Sequence, residues 1–149
     1  MTTMPVVGRP SVSPRPWSIL LGGPETDGAA MIGSGTLPPR TAGPPLHVHS
    51  REDEAFYVVS GVLTAQFGDE RLELQAGEVA WLARHVPHAF ANFSDAPTTI
   101  LSFCAPGDIS ELFREQDAYL DSLDGPPDRA VLAQISVRYG VTPVGPPLL

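Results

Sequence analysis

The rhythm of residues 17–105 most constrains what this chain can fold into. WSILL, AAMIGSGTL, EAFYVVSG, VLTAQFG, RLELQA, VAWLA, HAFANF and TTILSFCA are short runs rich in β-branched and aromatic residues. Gly, Asp and Pro punctuate them at intervals of roughly 8–12 residues, the spacing of a sandwich or barrel. Ser60-Gly61, Gly68-Asp69 and Ala76-Gly77 carry the turn chemistry between runs. No self-similarity at a period of roughly 20–50 residues is visible, which excludes solenoids and propellers. An all-β antiparallel body over residues 17–105 is therefore expected.

The period changes near residue 108. Asp108 and Glu111 stand at capping-box spacing just after Pro106-Gly107. Ile109, Leu112, Phe113, Leu120 and Leu123 follow at helical spacing, and Gly125-Pro126 stops that helix. Asp128 opens a second helix carrying Val131, Leu132, Ile135 and Tyr139, with Gly140 at its C-terminal end. Two such helices are expected to pack outside the β body or on a partner subunit. Residues 1–16, rich in Pro, Ser and Arg, read as a flexible arm. The expected organisation is an arm over 1–16, a β domain over 17–105 and a helical extension and tail over 106–149.

Composition removes several kinds of chemistry. The chain has no lysine, so Schiff-base and P-loop lysine mechanisms are excluded. Cys104 is alone, which excludes a disulfide framework, a multi-cysteine zinc site and an iron–sulfur cluster. Its expected role is a small buried hydrophobe. Nine arginines face seventeen acids for a net charge of -8, so no nucleic-acid partner is expected. The seven acids between 108 and 128 read as a solvated helix face. No signal-peptide core or bilayer-length apolar run is visible, so the expectation is no membrane partner and, with a free cysteine, a cytoplasmic location.

The four histidines all fall between positions 47 and 88. His47-Val48-His49 opens a strand-like run, where residues i and i+2 point to one side. Glu54 follows, and His88 begins the run HAFANF. Three imidazoles and a carboxylate on adjacent strands suit a first-row divalent metal. An isolated H-x-H leaves a structural role open, and Glu54 could instead pair with Arg51 at the surface.

The longer pattern decides between these readings. It runs Gly43-x3-His47-x-His49-x4-Glu54-x6-Gly61, then Gly77-x5-Ala83-x-His85-x2-His88-x3-Asn92. It resembles the two motifs of the cupin superfamily, covering roughly residues 17–105, and within it the single-domain quercetin-2,3-dioxygenase-like cupins of bacteria. The resemblance implies an antiparallel cupin β-barrel, or jelly roll, with short C-terminal helices. It places His47, His49, Glu54 and His88 on the metal-ligand positions of one divalent ion, whether Fe, Mn, Ni, Co or Zn. Three departures stand out: Gly43 lies two residues closer to the first histidine than usual, Ala83 replaces a proline, and His85 replaces a glycine. His85 is read either as an acid/base near the mouth or, more simply, as a turn residue.

Strand parity places Phe56 and Val58 with Glu54, and Phe90 and Asn92 with His88. With Trp81, Leu101 and Phe103 as neighbours, these outline an apolar, partly aromatic substrate pocket. Asn92 or Gln66 is expected to hold the imidazole tautomers. The resemblance implies a dioxygenase, with dioxygen as co-substrate and a flavonol-like or other enolisable aromatic compound as substrate. Glu54 would be the catalytic base. The alternatives are a non-redox cyclase, isomerase or lyase, and a non-catalytic small-molecule-binding cupin. Strand edges and the two helices predict a homodimer.

Overall fold

Asp53–Ser60 shows how the strand pattern becomes a barrel. Glu54, Phe56 and Val58 are buried while Tyr57 and Val59 are exposed, so alternate side chains face one interior. The computed structural model describes residues 5–9, 15 and 17–148. Its strands are β1 (Trp17–Leu21), β2 (Met31–Leu37), β3 (Thr41–Ala42), β4 (His47–His49), β5 (Asp53–Ser60) and β6 (Val62–Phe67). They continue as β7 (Glu70–Gln75), β8 (Val79–Leu82), β9 (His88–Asn92) and β10 (Thr98–Ala105). Two helices, α1 (Ser110–Asp121) and α2 (Arg129–Arg138), lead to a final strand, β11 (Val141–Pro143).

The strands form two antiparallel sheets. One has the order β1-β2-β10-β5-β8; the other runs β11-β4-β9-β6-β7, with β3 also paired to β9. This is the expected all-β class, a cupin-type antiparallel barrel with two short helices. Gly68-Asp69 makes the β6–β7 turn. Gly61 sits where the chain leaves one sheet for the other, at φ +81°, and a Cβ there would lie 2.5 Å from the Pro97 carbonyl oxygen. Only glycine meets both demands without strain.

Between the sheets, Phe56, Val58, Leu82 and Ile100 from one meet Leu63 and Leu74 from the other. This cluster fills one part of the barrel. The other end is closed differently. Met31 and Cys104 on the strands pack with Ile109, Leu112, Ile135 and Val141 from the C-terminal region. Cys104 is buried and free, as its size and polarity suggest.

The helices thus differ from the expected external appendage. Their apolar residues close the open end of the barrel, and the chain then returns as β11 beside the histidine strand, pairing Val141 with His49 and Pro143 with His47. The capping box at Asp108 and Glu111 does not form. Gly107–Ile109 is a short 3-10 turn, α1 begins at Ser110 without a side-chain cap, and Glu111 pairs instead with Arg114. The second helix starts as expected, with Asp128 accepting the Ala130 N–H at 2.8 Å. Several acids of the helical region are engaged in surface ion pairs, with Arg15, Arg114 and Arg138 as partners.

Of the expected arm, residues 1–4, 10–14 and 16 lie outside the described set. Gly8 runs close against β1, where a Cβ would meet the Leu20 carbonyl oxygen at 2.3 Å. Among the described residues, no helix is long and apolar enough to cross a membrane.

Candidate metal centre

β4 is three residues long, and its two histidines point inward while Val48 lies between them. β9 runs alongside, with His47 opposite His88. Glu54 enters from β5 in the facing sheet. One ligand atom from each of His47, His49, Glu54 and His88 falls within 4.8 Å of the others. That spacing lets the four side chains hold a single ion.

The far side of each ring is occupied. His47 Nδ1 lies 2.7 Å from the Pro45 carbonyl oxygen, and His88 Nδ1 lies 3.2 Å from that of Val86. His49 Nδ1 lies 3.3 Å from Glu52 Oε2. With a metal bound, a proton on each Nδ1 would leave each Nε2 free to donate a lone pair to it. His88 Nε2 and His49 Nε2 both face Glu54 Oε2, at 3.1 and 3.6 Å. Neutral rings turned Nε2-inward around a carboxylate are the donor set a divalent transition metal requires.

Burial displaces the ionisation of His47, and its neighbours displace that of Glu54. Burial, reinforced by neighbouring His88, pulls the pKa of His47 down to about 4. Burial opposes the charge on Glu54, but hydrogen bonding to His88, the nearby imidazoles and the Ser102 hydroxyl outweigh it and hold the carboxyl below its usual range. Ser102 donates to Glu54 Oε1 at 2.8 Å. Burial, and then the charge on Glu54, push the Cys104 thiol well up, so it stays protonated.

The sequence reasoning missed Glu52 and Ser102. Glu52 is 2% exposed and stands behind His49. Its signal was its position two residues before Glu54, on the same side of an extended run. Ser102 has the parity of Ile100, and pairs across from Phe56. Gln66 and Asn92 do not hold the imidazoles. Gln66 donates to Gly68, and buried Asn92 ties together Leu37, Pro38 and Ala96 through their carbonyl oxygens.

A cavity of about 630 Å³ opens in front of His47, His49 and Glu54. Phe56 and Phe90 line it, meeting edge to face with centroids 4.8 Å apart. The other pocket residues expected from sequence lie elsewhere. Val58 has the right parity but sits deeper, in the core between the sheets. Trp81, Leu101 and Phe103 have the opposite parity: Trp81 and Phe103 both pair with Ala55, and Leu101 pairs with Tyr57, so all three face outward. Instead, Leu112 and Phe113 of α1 and Leu132 of α2 complete the apolar wall. Gly43 at the mouth is a true close approach, since a Cβ would strike the Phe90 carbonyl oxygen at 2.3 Å. His85 is exposed at φ +67° and its N–H donates to the His49 carbonyl oxygen at 2.7 Å. It is absent from the cavity wall.

Residues 33–104 match the cupin domain family. No curated protein sequence matches the chain. Among solved structures, a cupin protein from Bacteroides fragilis is 22% identical, with a TM-score of 0.57 over 83% of this chain and 93% of that one. A predicted oxalate decarboxylase from Thermotoga maritima is 21% identical, with a TM-score of 0.57 over 60% of this chain and 78% of that one. A sugar phosphate isomerase from Silicibacter pomeroyi is 24% identical, with a TM-score of 0.52 over 66% of this chain and 68% of that one. At these identities the likeness is one of fold.

The depressed His47 pKa sets a stability window for metal-free protein. Between the usual value of 6.5 and about 4, the unfolded chain takes up a proton that folded His47 refuses. Stability therefore falls as pH drops through that window, by about 3 kcal/mol in total. Glu54, held low in the folded state, adds a loss of the same sign at still lower pH. Urea unfolding of chelator-treated protein between pH 7 and pH 4 reads this out; a flat profile would refute the assignment.

Proposed function

We propose that this chain is a metal-dependent enzyme of the cupin superfamily, acting as a dioxygenase on an enolisable aromatic or flavonol-like small molecule. The observation that carries the reading is an ionisable carboxylate, Glu54, beside three Nε2-inward histidines at the head of an aromatic-lined cavity. His47, His49, Glu54 and His88 would hold one divalent ion, of Fe, Mn, Ni, Co or Zn. Such an ion supplies Lewis acidity toward a substrate oxygen and, if redox-active, reactivity with dioxygen.

The protein's own residues do the rest. Phe56, Phe90 and the helix residues exclude water and hold a flat apolar body. Glu54 is kept ionised and takes the substrate hydroxyl proton. Ser102, donating to Oε1, fixes the orientation of the carboxylate and keeps that oxygen partnered. Pro44 and Pro45, both on the cavity wall, stiffen the approach to His47.

A second, non-redox reading has the same ion and the same base moving a proton within the substrate. The Ser102-held carboxylate favours it, because isomerisation, cyclisation or lyase chemistry needs nothing more than that proton transfer. Proteins of similar fold described as a sugar phosphate isomerase and a predicted oxalate decarboxylase point the same way. A cytoplasmic location belongs to both readings and rests on the free Cys104.

Protein purified without chelator is expected to carry close to one transition-metal ion per chain. His49→Ala should abolish loading, and Glu52→Gln should weaken affinity by roughly 10–100-fold, because Glu52 orients His49. Elemental analysis and competition with a chelating dye measure both. Loading that is substoichiometric and unchanged in His49→Ala would remove the metal reading.

Oxygen-electrode assays with a flavonol panel divide the two chemistries. Oxygen uptake that falls by two or more orders of magnitude in Glu54→Gln is the dioxygenase outcome, within the range of a lost general base. Substrate turnover without oxygen uptake would transfer the assignment to the non-redox reading.

A homodimer belongs to this proposal, and an exposed sheet face adds to the strand edges and helices that the sequence suggested. On the outside of the first sheet, Phe103, Ala55 and Trp81 lie in one cross-strand row and Leu101, Tyr57 and Val79 in the next. Val79 is 63% exposed and Trp81 59%. A contiguous apolar sheet face of this kind supports a contact between two copies of the chain. Light scattering should give twice the chain mass of 15.8 kDa, reverting to one chain in Trp81→Glu. A monomeric native protein would contradict it.

A further inference from the structure

The cavity wall holds a cation that the metal centre does not use. Among the described residues lining the cavity, Arg129 is the single arginine and Glu54 the single acid. Arg129 is the first residue of α2 and lies at the exposed rim. Most other arginines are committed: Arg15, Arg40, Arg84, Arg114 and Arg138 each pair with a carboxylate, and Arg51 donates to the Arg138 carbonyl oxygen. Arg129 has no hydrogen bond or ion pair among the described residues. The neighbouring carboxylate, Asp128, is engaged in capping α2 through the Ala130 N–H.

Trp17 lines the cavity, but its indole N–H is buried against β2 near Gly33, out of reach of a molecule in the cavity. Gln116 donates to Ser136, whose hydroxyl donates to the Leu132 carbonyl oxygen, so these two are satisfied by each other and by α2. The guanidinium at the rim is the group that calls for an oxygen acceptor. Phe56, Phe90, Leu112, Phe113 and Leu132 supply the apolar part of the same wall.

Charge sharpens the class of ligand. Arg129 brings a positive charge to the rim of this cavity, in a chain whose net charge is -8. An anion is thus attracted to this cavity and disfavoured at the acidic exterior. A phosphate has more acceptors than one guanidinium satisfies, whereas a carboxylate matches the two-pronged fork of a single arginine.

We propose that Arg129 is a specificity-determining residue that binds the carboxylate of an amphipathic substrate whose apolar or aromatic body reaches the metal centre. The proposal rests on the reading of the cavity as the substrate site and narrows its substrate class to aromatic or enolisable carboxylic acids. The helices after the barrel are then the part of the chain that selects the substrate.

Calorimetric titration of the full chain with 2-naphthoate and its neutral amide, 2-naphthamide, tests this in metal-free and zinc-loaded protein. In the metal-free form the acid is expected to bind about tenfold more tightly than the amide, the size of a charge-assisted pair at a partly exposed site. Arg129→Gln should reduce that ratio to about two or below, and Arg129→Lys should leave it intermediate, in keeping with the loss of the planar fork. Arg71→Gln, the same charge change on exposed β7 outside the cavity wall, should leave the ratio unchanged. The Arg129 side chain packs into no core cluster, and thermal melts of the variants should match the native protein.

Equal affinity for acid and amide, a preference that survives Arg129→Gln, an equal loss in Arg71→Gln, or no binding of either compound at millimolar concentration would each overturn the proposal. A preference present with zinc alone and insensitive to Arg129→Gln would place the anion at the four-residue cluster, overturning the Arg129 role while leaving the metal reading standing. An Arg129-dependent preference in a protein that takes up no metal supports the Arg129 role and removes only the metal chemistry.

Discussion

Two carboxylates buried two residues apart set the terms for this molecule. Glu52 is 2% exposed and Glu54 7%. An isolated ionised carboxylate in an apolar interior costs several kcal/mol or more, so each must be matched by donors. Glu52 faces His49 Nδ1, and Glu54 accepts from Ser102 and lies against the inward edges of His49 and His88. Those partners come from β4, β9 and β10, in both sheets. The barrel is thereby held in register by its polar centre as well as by its apolar core. One sheet slipping by one residue would turn the donors outward and strand two charges.

The same centre explains why the C-terminal region is built into the fold. β4 is only three residues long, with β9 on one side. Left alone, its other edge would expose unpaired backbone next to the two histidines. β11 covers that edge, and the Ser50 N–H donates to the Gly140 carbonyl oxygen at 2.8 Å to anchor the join. The helices that deliver β11 bury Leu112 and Ile135 against the barrel end. Covering the histidine strand and walling the cavity are consequently one act of folding.

This division also marks what the sequence disclosed. Period-two patterning located the strands, and the H-x-H spacing with Glu54 and His88 located the cluster, because both are local consequences of extended geometry. Parity within a strand was equally legible: Phe56 and Phe90 do line the cavity. Parity between strands was not. Trp81, Leu101 and Phe103 face outward because cross-strand register, which no single strand encodes, places them opposite Ala55 and Tyr57. Depth along a strand was hidden for the same reason, so Val58 and Asn92 share the inward side yet lie away from the cavity. The helices were visible as helices, but an amphipathic face does not name the surface it will cover.

That last gap bears on function. A metal centre made of three histidines and a glutamate fixes where electrons and protons can move, and the same set serves many reactions. In the proposed site, discrimination among substrates would come from groups farther along the cavity. Here those groups lie on α1 and α2: Leu112, Phe113 and Leu132 shape the wall, and Arg129 stands uncommitted at its rim. A barrel whose interior positions are constrained by buried charges tolerates little variation around the four-residue cluster. The helical closure carries no such constraint, so selectivity can change there without disturbing the donors that hold the barrel in register.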